Sequence, residues 1–294
     1  AGIPAPQSGS IRQNGSTIAE QIGGQIFIDT WGLVAPGDPE RAARYARTAA
    51  SVSHDGEALN GAAFIAACIS AAFECSDIEQ IMDKALACIP AESRYAAVVN
   101  AAREYRRAHP EDDWHGCRQM LEEQWGYDRY PGACHVIPNA GVCALALTYG
   151  AGDFCRTIEI ATMCGWDTDC NAGNVGTIVG VLGGIEAIPD HYRRPINDEI
   201  VLSSVSGYLN ILDVPGYIWY LAMWYYRLRG EPVPEEVQRH LHPGEIDFDF
   251  PLPGSTHGLC FSAPCLLRGG HKKTAYGVMG NRLNRGQQAT VHLK

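Results

Sequence analysis

The stretch GEALNGAAFIAACISAAFEC, residues Gly56–Cys75, decides the fold of this 294-residue chain. Its body, AAFIAACISAAF, is apolar on almost every side when it is drawn as a helix. A helix without a polar face is buried in a protein core and is surrounded by other elements. The stretch therefore predicts a central helix around which the rest of the fold is built.

The segments on both sides of this helix carry helix start signals, chiefly Ser, Thr or Asp at the N-cap. A capping box formed by Thr17 and Glu20 predicts that the first helix begins there and runs to Leu33. The predicted helices span residues 17–33, 39–51, 56–75, 77–87, 93–108, 113–125, 140–149, 153–164, 172–185, 189–205 and 217–229. Because their connections are short and no convincing strand interrupts them, we expect an all-α orthogonal helical bundle over residues 1–230.

The last part of the chain differs from the rest in its charge and in its hydrophobic pattern. Residues 251–294 contain six Lys and Arg residues and no Asp or Glu, whereas the whole chain has a net charge of −10. From Glu245 onward, short alternating runs such as IDFDF and ATVHL are separated by Gly, Pro and Asn, a pattern typical of antiparallel strands. We expect a linker over residues 231–244 and the first, incomplete part of a β-sandwich-like domain over 245–294.

Composition and charge disfavour several classes of protein. The acidic balance is the opposite of the basic surplus that nucleic-acid binding requires. No apolar run is long enough to span a bilayer, and the first residues lack the pattern of a signal peptide. The 11 cysteines are odd in number and include no CxxC pair. This usage favours reduced thiols and a cytoplasmic location.

The strongest local signal for chemistry is GWDTDCN, residues Gly165–Asn171. It lies between two predicted helices, where the carboxylates of Asp167 and Asp169 are able to converge. Paired carboxylates suit a hard cation such as Mg²⁺. The alternative, which is the more frequent outcome for so short a motif, is that one of the two aspartates only caps the next helix.

The helix after this motif carries small residues at fourfold spacing, namely Ala172, Gly176, Gly180 and Gly184. Glycine is unfavourable inside a helix by about 1 kcal/mol. Several glycines on one face therefore predict that the backbone of a neighbouring helix approaches closely there.

The segment HVIPNAGVCALALTYGAGDFCRTIEIATMCGWDTDCNAGNVGTIVGVLGGIEAIP, residues His135–Pro189, resembles the ADP-ribosylglycohydrolase family, which includes dinitrogenase-reductase-activating glycohydrolase and the crystallin J1-like proteins. The family signature Gly-Gly-Asp-Thr-Asp-Thr corresponds to Gly165–Cys170. The resemblance extends to SHDGEALNGAAFIAA (Ser53–Ala67) and NGSTIAEQIGGQIFID (Asn14–Asp29), and covers roughly residues 8–212.

The resemblance implies an all-α fold with a metal centre at the base of a cleft, typically two Mg²⁺, with Mn²⁺ as a substitute. It makes Asp167 and Asp169 the catalytic residues and metal ligands, with Cys170 where the family has Thr or Ser. Since a thiol suits a hard cation poorly, a backbone carbonyl or Asn171 is the alternative third contact. The acidic motif that completes the metal shell in the family has no counterpart before Asp29. Either it lies in a preceding segment that has been removed, or this chain cannot build a full dinuclear site.

Substrate contacts are expected from the residues and from the resemblance together. The candidate residues are Asn14, Gly15, Ser16, Asp29, His54, His135, Asn139 and Trp166. Helix N–H groups after Asn14 would cradle a phosphate, and Trp166 would stack on a base or sugar or narrow the pocket. The alternatives are an ordinary helix start at Ser16, a cap or solvent-facing role for His54, and an N-cap role for Asn139.

The expected function is that of a Mg²⁺-dependent glycohydrolase acting on ADP-ribose or a related nucleotide-ribosyl conjugate. Its partner would be an ADP-ribose-like small molecule or an ADP-ribosylated substrate, with neither nucleic acid nor membrane involved. One alternative is a hydrolase of the same fold acting on a different glycoside, which the unusual Trp166 and Cys170 favour. The other is a non-catalytic paralogue with a binding or structural role.

Overall fold

The computed structural model describes residues 2–196, 198–201 and 211–241. Its contacts divide the chain into two compact units, Ala1–Ala187 and a second unit that begins at Ile188. Residues 242–294 lie outside the described residues, and so does the whole of the predicted β domain at 245–294. The predicted domain boundary after residue 230 stays a prediction.

The first unit is helical throughout. Its α-helices are Ile11–Asn14 (α1), Ser16–Ala19 (α2), Gly23–Ile26 (α3), Asp29–Leu33 (α4), Pro39–Ala50 (α5), Glu57–Ala72 (α6), Ile78–Leu86 (α7), Arg94–Ala108 (α8), Trp114–Trp125 (α9), Val136–Gly150 (α10), Phe154–Met163 (α11) and Thr168–Gly183 (α12). Short 3-10 helices at Gln7–Gly9 and Ile185–Ala187 begin and end the unit. The prediction of an all-α fold is confirmed for this part of the chain.

The core of this unit is built on α6 and α10, in which fourteen residues each are buried. As its apolar body predicts, α6 is enclosed, and α3, α4, α5, α7, α8, α10 and α12 pack around it. The buried side chains include Phe64 and Tyr95, whose rings lie 5.4 Å apart. Helices α11 and α12 pack against α10, and this places the motif at 165–171 at the edge of the core.

The single helix predicted over residues 17–33 is wrong. The structure has four short helices between Ile11 and Leu33 instead. The chain is interrupted at Gln21, which forms an isolated β-bridge with His135. There the N–H of Ile22 donates to the carbonyl of Cys134, and the carbonyl of Glu20 accepts from Val136. These backbone groups are therefore used between segments and cannot continue a helix.

Helix α10 begins at Val136, four residues before the predicted start at Ala140. His135 is its N-cap, and its ring nitrogen Nδ1 accepts a hydrogen bond from the N–H of Ile137. Pro138 falls in the first turn, where proline is tolerated because no intrahelical partner is needed. The prediction that Asn139 caps this helix is therefore wrong.

The second unit begins with helix Asp190–Ile196 (α13), which ends well before the predicted residue 205. Strands Glu199–Val201 (β1) and Ile211–Asp213 (β2) pair in antiparallel fashion, with Glu199 opposite Asp213. Helix Val214–Arg229 (α14) confirms the predicted helix at 217–229 with an earlier start, and Glu235–Arg239 (α15) lies in the predicted linker. No helix in the described ranges is both long enough and apolar enough to cross a membrane.

The expected close approach of a neighbouring backbone is not found at Gly176 or at Gly184. A Cβ on Gly176 would meet only the flexible end of the Ile158 side chain, and Gly184 ends the helix at φ 68°. Close packing occurs instead at Gly32 in α4, where a Cβ would lie 2.6 Å from the Cβ of Ile69 and 2.8 Å from the carbonyl oxygen of Ala66. Gly32 thus sets how closely α4 approaches α6.

Gly32→Ala should therefore destabilise the fold by about 1–3 kcal/mol, because α4 must move away from α6. The matched control is Gly173→Ala in α12, where a Cβ would meet nothing within 4 Å. This substitution should stabilise the helix by about 0.5–1 kcal/mol. Urea unfolding of the two variants tests the pair, and equal effects would contradict the packing described here.

Candidate metal centre

The motif at 165–171 forms a cluster of carboxylate and thiol groups at the start of α12. Asp167 is the N-cap of this helix, and Asp169 and Cys170 lie in its first turn. Ligand atoms from these three side chains all lie within 4.8 Å of one another. Asp169 is exposed and the other two are half-buried, so a cation is able to reach the cluster from solvent.

The geometry excludes the capping role for Asp167, and its role as a metal ligand stays a prediction. Its carboxylate accepts no capping hydrogen bond from the first turn of α12, residues 168–171. In contrast, Asp153, at the N-cap of α11, accepts a 2.7 Å hydrogen bond from the N–H of Arg156. The aspartates before α5, α7 and α9 cap their helices in the same way. The side chain of Asp167 instead contacts the side chains of Asp169, Cys170 and Cys134.

Neighbouring groups stabilise the negative charge of the cluster. A hydrogen bond with Asp167 lowers the pKa of the Asp169 carboxyl, and the N–H groups of Asp169 and Cys170 act in the same direction. The N-terminal end of a helix also favours negative charge. Asp169 is therefore ionised at neutral pH and suited to hold a cation.

Two thiols lie beside Asp167. Burial raises the pKa of Cys170 to about 12, and its contact with the Asp167 carboxylate adds to this effect. Cys134, which lies just before α10, has its pKa raised by burial and by the same carboxylate. Its backbone is fixed on both sides, because its N–H donates to Gln21 Oε1 at 2.7 Å and its carbonyl accepts from Ile22.

The amide of Asn139 holds this loop in place from inside the core. Its Oδ1 accepts from the N–H of Asp167 at 3.3 Å and from Nδ2 of Asn171 at 2.8 Å. Its Nδ2 donates to the hydroxyl of Tyr127 and to the carbonyl of His135. Since Asn139 is fully buried, the structure makes it a support for the loop and argues against the predicted contact with substrate.

Asn171 also points into the core and not into the cluster. It is fully buried, and its Oδ1 accepts from the thiol of Cys143 at 3.6 Å while its Nδ2 binds Asn139. The alternative that Asn171 replaces Cys170 as the third metal contact is therefore wrong for this geometry.

Trp166 adopts a left-handed backbone conformation, with φ 60°, which costs an L-residue about 1–2 kcal/mol. Its indole stacks on Tyr127 with ring centroids 5.1 Å apart, and the guanidinium carbon of Arg118 lies 3.9 Å from its centre. Arg118 also donates from Nε to the carbonyl of Cys164. These contacts fix Trp166 immediately before the two aspartates, and its predicted stacking on a substrate stays a prediction.

Asp29 is one of the predicted substrate contacts, and the structure places it against the middle of α12. Its two oxygens accept from Nδ2 of Asn174 at 2.8 Å and from the hydroxyl of Thr177 at 2.7 Å. Burial raises its pKa to about 6, although the two hydrogen bonds oppose this shift. Asn174 in turn accepts from Gln25, whose Oε1 accepts from Tyr95. Asp29 thus belongs to a buried polar network.

His135 is a predicted substrate contact, but its side chain is only 3% exposed. Its Nε2 lies 3.8 Å from the carboxylate of Glu20, which also receives hydrogen bonds from Arg94 and from the N–H of Glu57. Glu20 therefore does not complete a capping box with Thr17 and instead joins three segments of the core. This geometry makes His135 a structural residue.

The remaining predicted contacts lie in the N-terminal segments. The helix that follows Asn14 and Gly15 starts at Ser16 and is only four residues long, so the expected long helix that would cradle a phosphate is absent here. His54 is half-buried against Gly23 and bonds to Ser53, and burial lowers its pKa. Substrate contact by Asn14, Gly15, Ser16 and His54 stays a prediction.

The donor set of the cluster fits a divalent cation, but only part of it fits Mg²⁺. The carboxylates of Asp167 and Asp169 are the oxygen ligands that hard cations prefer. The thiol of Cys170, the third member of the cluster, suits softer ions. The choice of ion is therefore not settled by the two aspartates alone.

The enclosed apolar helices α6 and α10, with the two carboxylates at the start of α12 beside them, define an all-α protein with a candidate cation site. The sequence matches the family model for ADP-ribosylglycohydrolase over residues 3–221. The chain therefore belongs to the ADP-ribosylglycohydrolase family, which is a family of glycohydrolases. Comparison with curated proteins and comparison with solved structures each found no match.

Sequence reasoning missed several residues that support the cluster, among them Cys134, Tyr127 and Arg118. Cys134 directly precedes the predicted substrate contact His135, and this position is a usable signal. Arg118 lies in α9 and Tyr127 lies just after it. No local sequence pattern connects either residue with Trp166. Their roles depend on how α9 packs against α10.

The raised pKa of Asp29 predicts how the stability of the fold depends on pH. Because its folded pKa of about 6 lies above the ordinary 3.8, the folded chain holds a proton that the unfolded chain has lost. Its ionisation therefore removes stability as pH rises from about 4 to above 6. Asp29→Asn should raise stability at pH 8 by the order of 2 kcal/mol and leave it nearly unchanged at pH 4.

The amide introduced by Asp29→Asn fits the site, because it would donate to Thr177 Oγ1, and the single hydroxyl proton of Thr177 would then turn from residue 29 to the carbonyl of Gly173, which lies 3.0 Å away. Thr177→Val is the opposite control, since it removes a donor to the ionised carboxylate and should cost more at pH 8 than at pH 5. Urea unfolding at several pH values measures both variants. Parallel pH profiles for the wild type and Asp29→Asn would refute this account of Asp29.

Proposed function

We propose that the chain is a hydrolase that releases ADP-ribose from an ADP-ribosyl conjugate, with a divalent cation held by Asp167 and Asp169. The observation that carries the proposal is the uncapped carboxylate of Asp167, which lies within 4.8 Å of the donor atoms of Asp169 and Cys170. Membership of the ADP-ribosylglycohydrolase family supports the substrate class. Mg²⁺, with Mn²⁺ as a substitute, is the ion that family resemblance suggests.

In the proposed mechanism some residues would bind the cation, and others would position these ligands and the substrate. Asp167 and Asp169 supply negative charge at a site open to solvent, beside the N-terminal end of α12. Asn139 fixes the backbone of Asp167, so the carboxylates keep their spacing when a substrate binds. A bound cation would stabilise negative charge on substrate or water oxygens. Trp166, next to Asp167, is the proposed contact for the ribose or base.

We propose that the protein resides in a reducing compartment, such as the cytoplasm, because the cysteines in the described part of the chain are unpaired. All nine cysteines in the described ranges are free thiols. Proteins that fold in oxidising compartments usually pair such residues. The free thiols support this location independently of the family.

Asp167→Ala should abolish release of ADP-ribose without loss of stability in the metal-free protein. Its side chain makes no capping bond, so its removal leaves the start of α12 without the loss that deletion of a cap causes. Asp153→Ala is the matched control, because that aspartate does cap its helix. The control should lose about 1 kcal/mol of stability and retain its hydrolytic activity.

The measurement is chromatographic detection of ADP-ribose released from ADP-ribosylated peptides by the full natural protein, together with thermal unfolding. Wild-type activity in Asp167→Ala would reject the role of the aspartate. Binding of ADP-ribose without turnover would favour a non-catalytic paralogue. Turnover of plain glycosides in place of ADP-ribosyl conjugates would favour the other hydrolase.

A further inference from the structure

The turn at residues 164–167 connects α11 to α12 and ends at the first of the two aspartates of the candidate centre. Gly165 and Trp166 both have a left-handed backbone in this turn, with φ 77° and 60°. Glycine adopts this conformation freely, whereas a residue with a Cβ is disfavoured there. The turn therefore needs contacts from outside to keep its shape at Trp166.

Arg118 reaches the turn from α9 and supplies two such contacts. Its Nε donates to the carbonyl of Cys164 at 2.8 Å, and its guanidinium carbon lies 3.9 Å from the centre of the Trp166 indole. Its Nη1 lies 2.7 Å from the carboxylate of Glu122, one helical turn along α9. These contacts, on a side chain that is only 18% exposed, fix the guanidinium against the turn.

The other end of the turn is held from inside the core, where the N–H of Asp167 donates to Oδ1 of Asn139. Arg118 and Asn139 thus hold the turn at Cys164 and at Asp167, and the strained residue lies between these two points. Without the contacts of Arg118, the turn would be free to relax towards an ordinary helix start. In that arrangement the aspartate would cap α12, as Asp153 caps α11.

We infer that Arg118 is a positioning residue for the proposed hydrolysis, because it holds the turn so that the Asp167 carboxylate serves the cation and does not cap α12. The inference rests on the proposed function. Arg118 acts through the turn and needs no contact with substrate or cation. Arginine suits this role, since its planar guanidinium stacks on a ring while it donates to a carbonyl, and the compact ammonium of lysine does not match that geometry.

Arg118→Lys keeps the positive charge and removes the planar group. Because the supports of metal ligands typically contribute 10–100-fold to affinity or activity, this variant should weaken Mg²⁺ binding about tenfold or more. Its kcat should fall to a similar extent, with a smaller change in KM. Calorimetry on the full natural protein without substrate measures Mg²⁺ affinity, and release of ADP-ribose from ADP-ribosylated peptides measures kcat.

Arg106→Lys is the matched control, because Arg106 makes contacts of the same kind between α8 and α10. Its Nη1 donates to the carbonyls of Pro110 and Asp112, and its guanidinium carbon lies 5.0 Å from the centre of the Tyr149 ring. Thermal unfolding should show a loss of stability in both lysine variants. Mg²⁺ affinity and kcat should stay at the wild-type level in the control, and an equal loss of both in the two variants would overturn the inference.

Removal of the strain gives a second and sharper test. Trp166→Gly lets residue 166 adopt the left-handed backbone freely, so the turn no longer depends on Arg118. Arg118→Lys should then lower Mg²⁺ affinity by less than about twofold in this background, against about tenfold in the wild type. Equal losses in the two backgrounds, or no loss in either, would overturn the inference.

Arg118→Gln provides another variant should Arg118→Lys not fold, since its amide keeps a donor for the Cys164 carbonyl but no charge over the indole. It should show the same loss of Mg²⁺ affinity. Failure of the proposed hydrolysis is a separate result, because it appears as absent ADP-ribose release while the Mg²⁺ titrations contain no substrate. A wild-type protein that binds no Mg²⁺ would overturn the role of Arg118 together with the cation site.

Discussion

The complete burial of α6 is the constraint on which the rest of the structure depends. Fourteen of its sixteen residues are buried, so seven helices must surround it. Such packing leaves no room for side chains at Gly32, where α4 lies directly on Ile69 and Ala66. The start of α6 is fixed by Glu20, which accepts from the N–H of Glu57 and from Arg94. The core helix thereby determines the course of the N-terminal segments.

The second feature of the core is its buried polar network, which connects packing to the candidate centre. One branch runs from Tyr95 through Gln25 and Asn174 to Asp29. The other runs from Tyr127 through Asn139 to Asn171. The thiol of Cys143 contacts groups in both branches. Buried amides of this kind are costly when a partner is lost, so the loop before α12 is fixed in one arrangement.

The sequence predicted those parts of the fold that depend on local patterns. The apolar body of α6 and the Asp or Ser caps of α5, α7, α8, α9 and α11 all have local causes, and the structure confirms these helices. The helix predicted at 17–33 failed because residues 20–22 bond to residues 134–136. No local pattern reveals a partner more than a hundred residues away.

The candidate site was predictable to a similar extent. Asp167, Asp169 and Cys170 are neighbours in the sequence, so their convergence follows from one short motif. Asn139 and His135 stand out in the sequence for their chemistry, but their burial depends on the position of α10 beneath that motif. Cys134 lies near Asp167 only because the bridge between Gln21 and His135 brings its segment there. Tertiary packing, and not composition, decides which polar residues face a ligand.

Two locally unfavourable features occur side by side at residues 166 and 167. Trp166 has an unfavourable left-handed backbone, and Asp167 forgoes the capping bond that the N-cap residues of α5, α7, α8, α9 and α11 make with their helices. Together these features cost about 2–3 kcal/mol relative to an ordinary turn and cap. The contacts of Tyr127, Arg118 and Asn139 offset that cost. Strain that the surroundings actively maintain is typical of functional sites, and here it leaves the Asp167 carboxylate without a capping hydrogen bond to the backbone of the helix it begins.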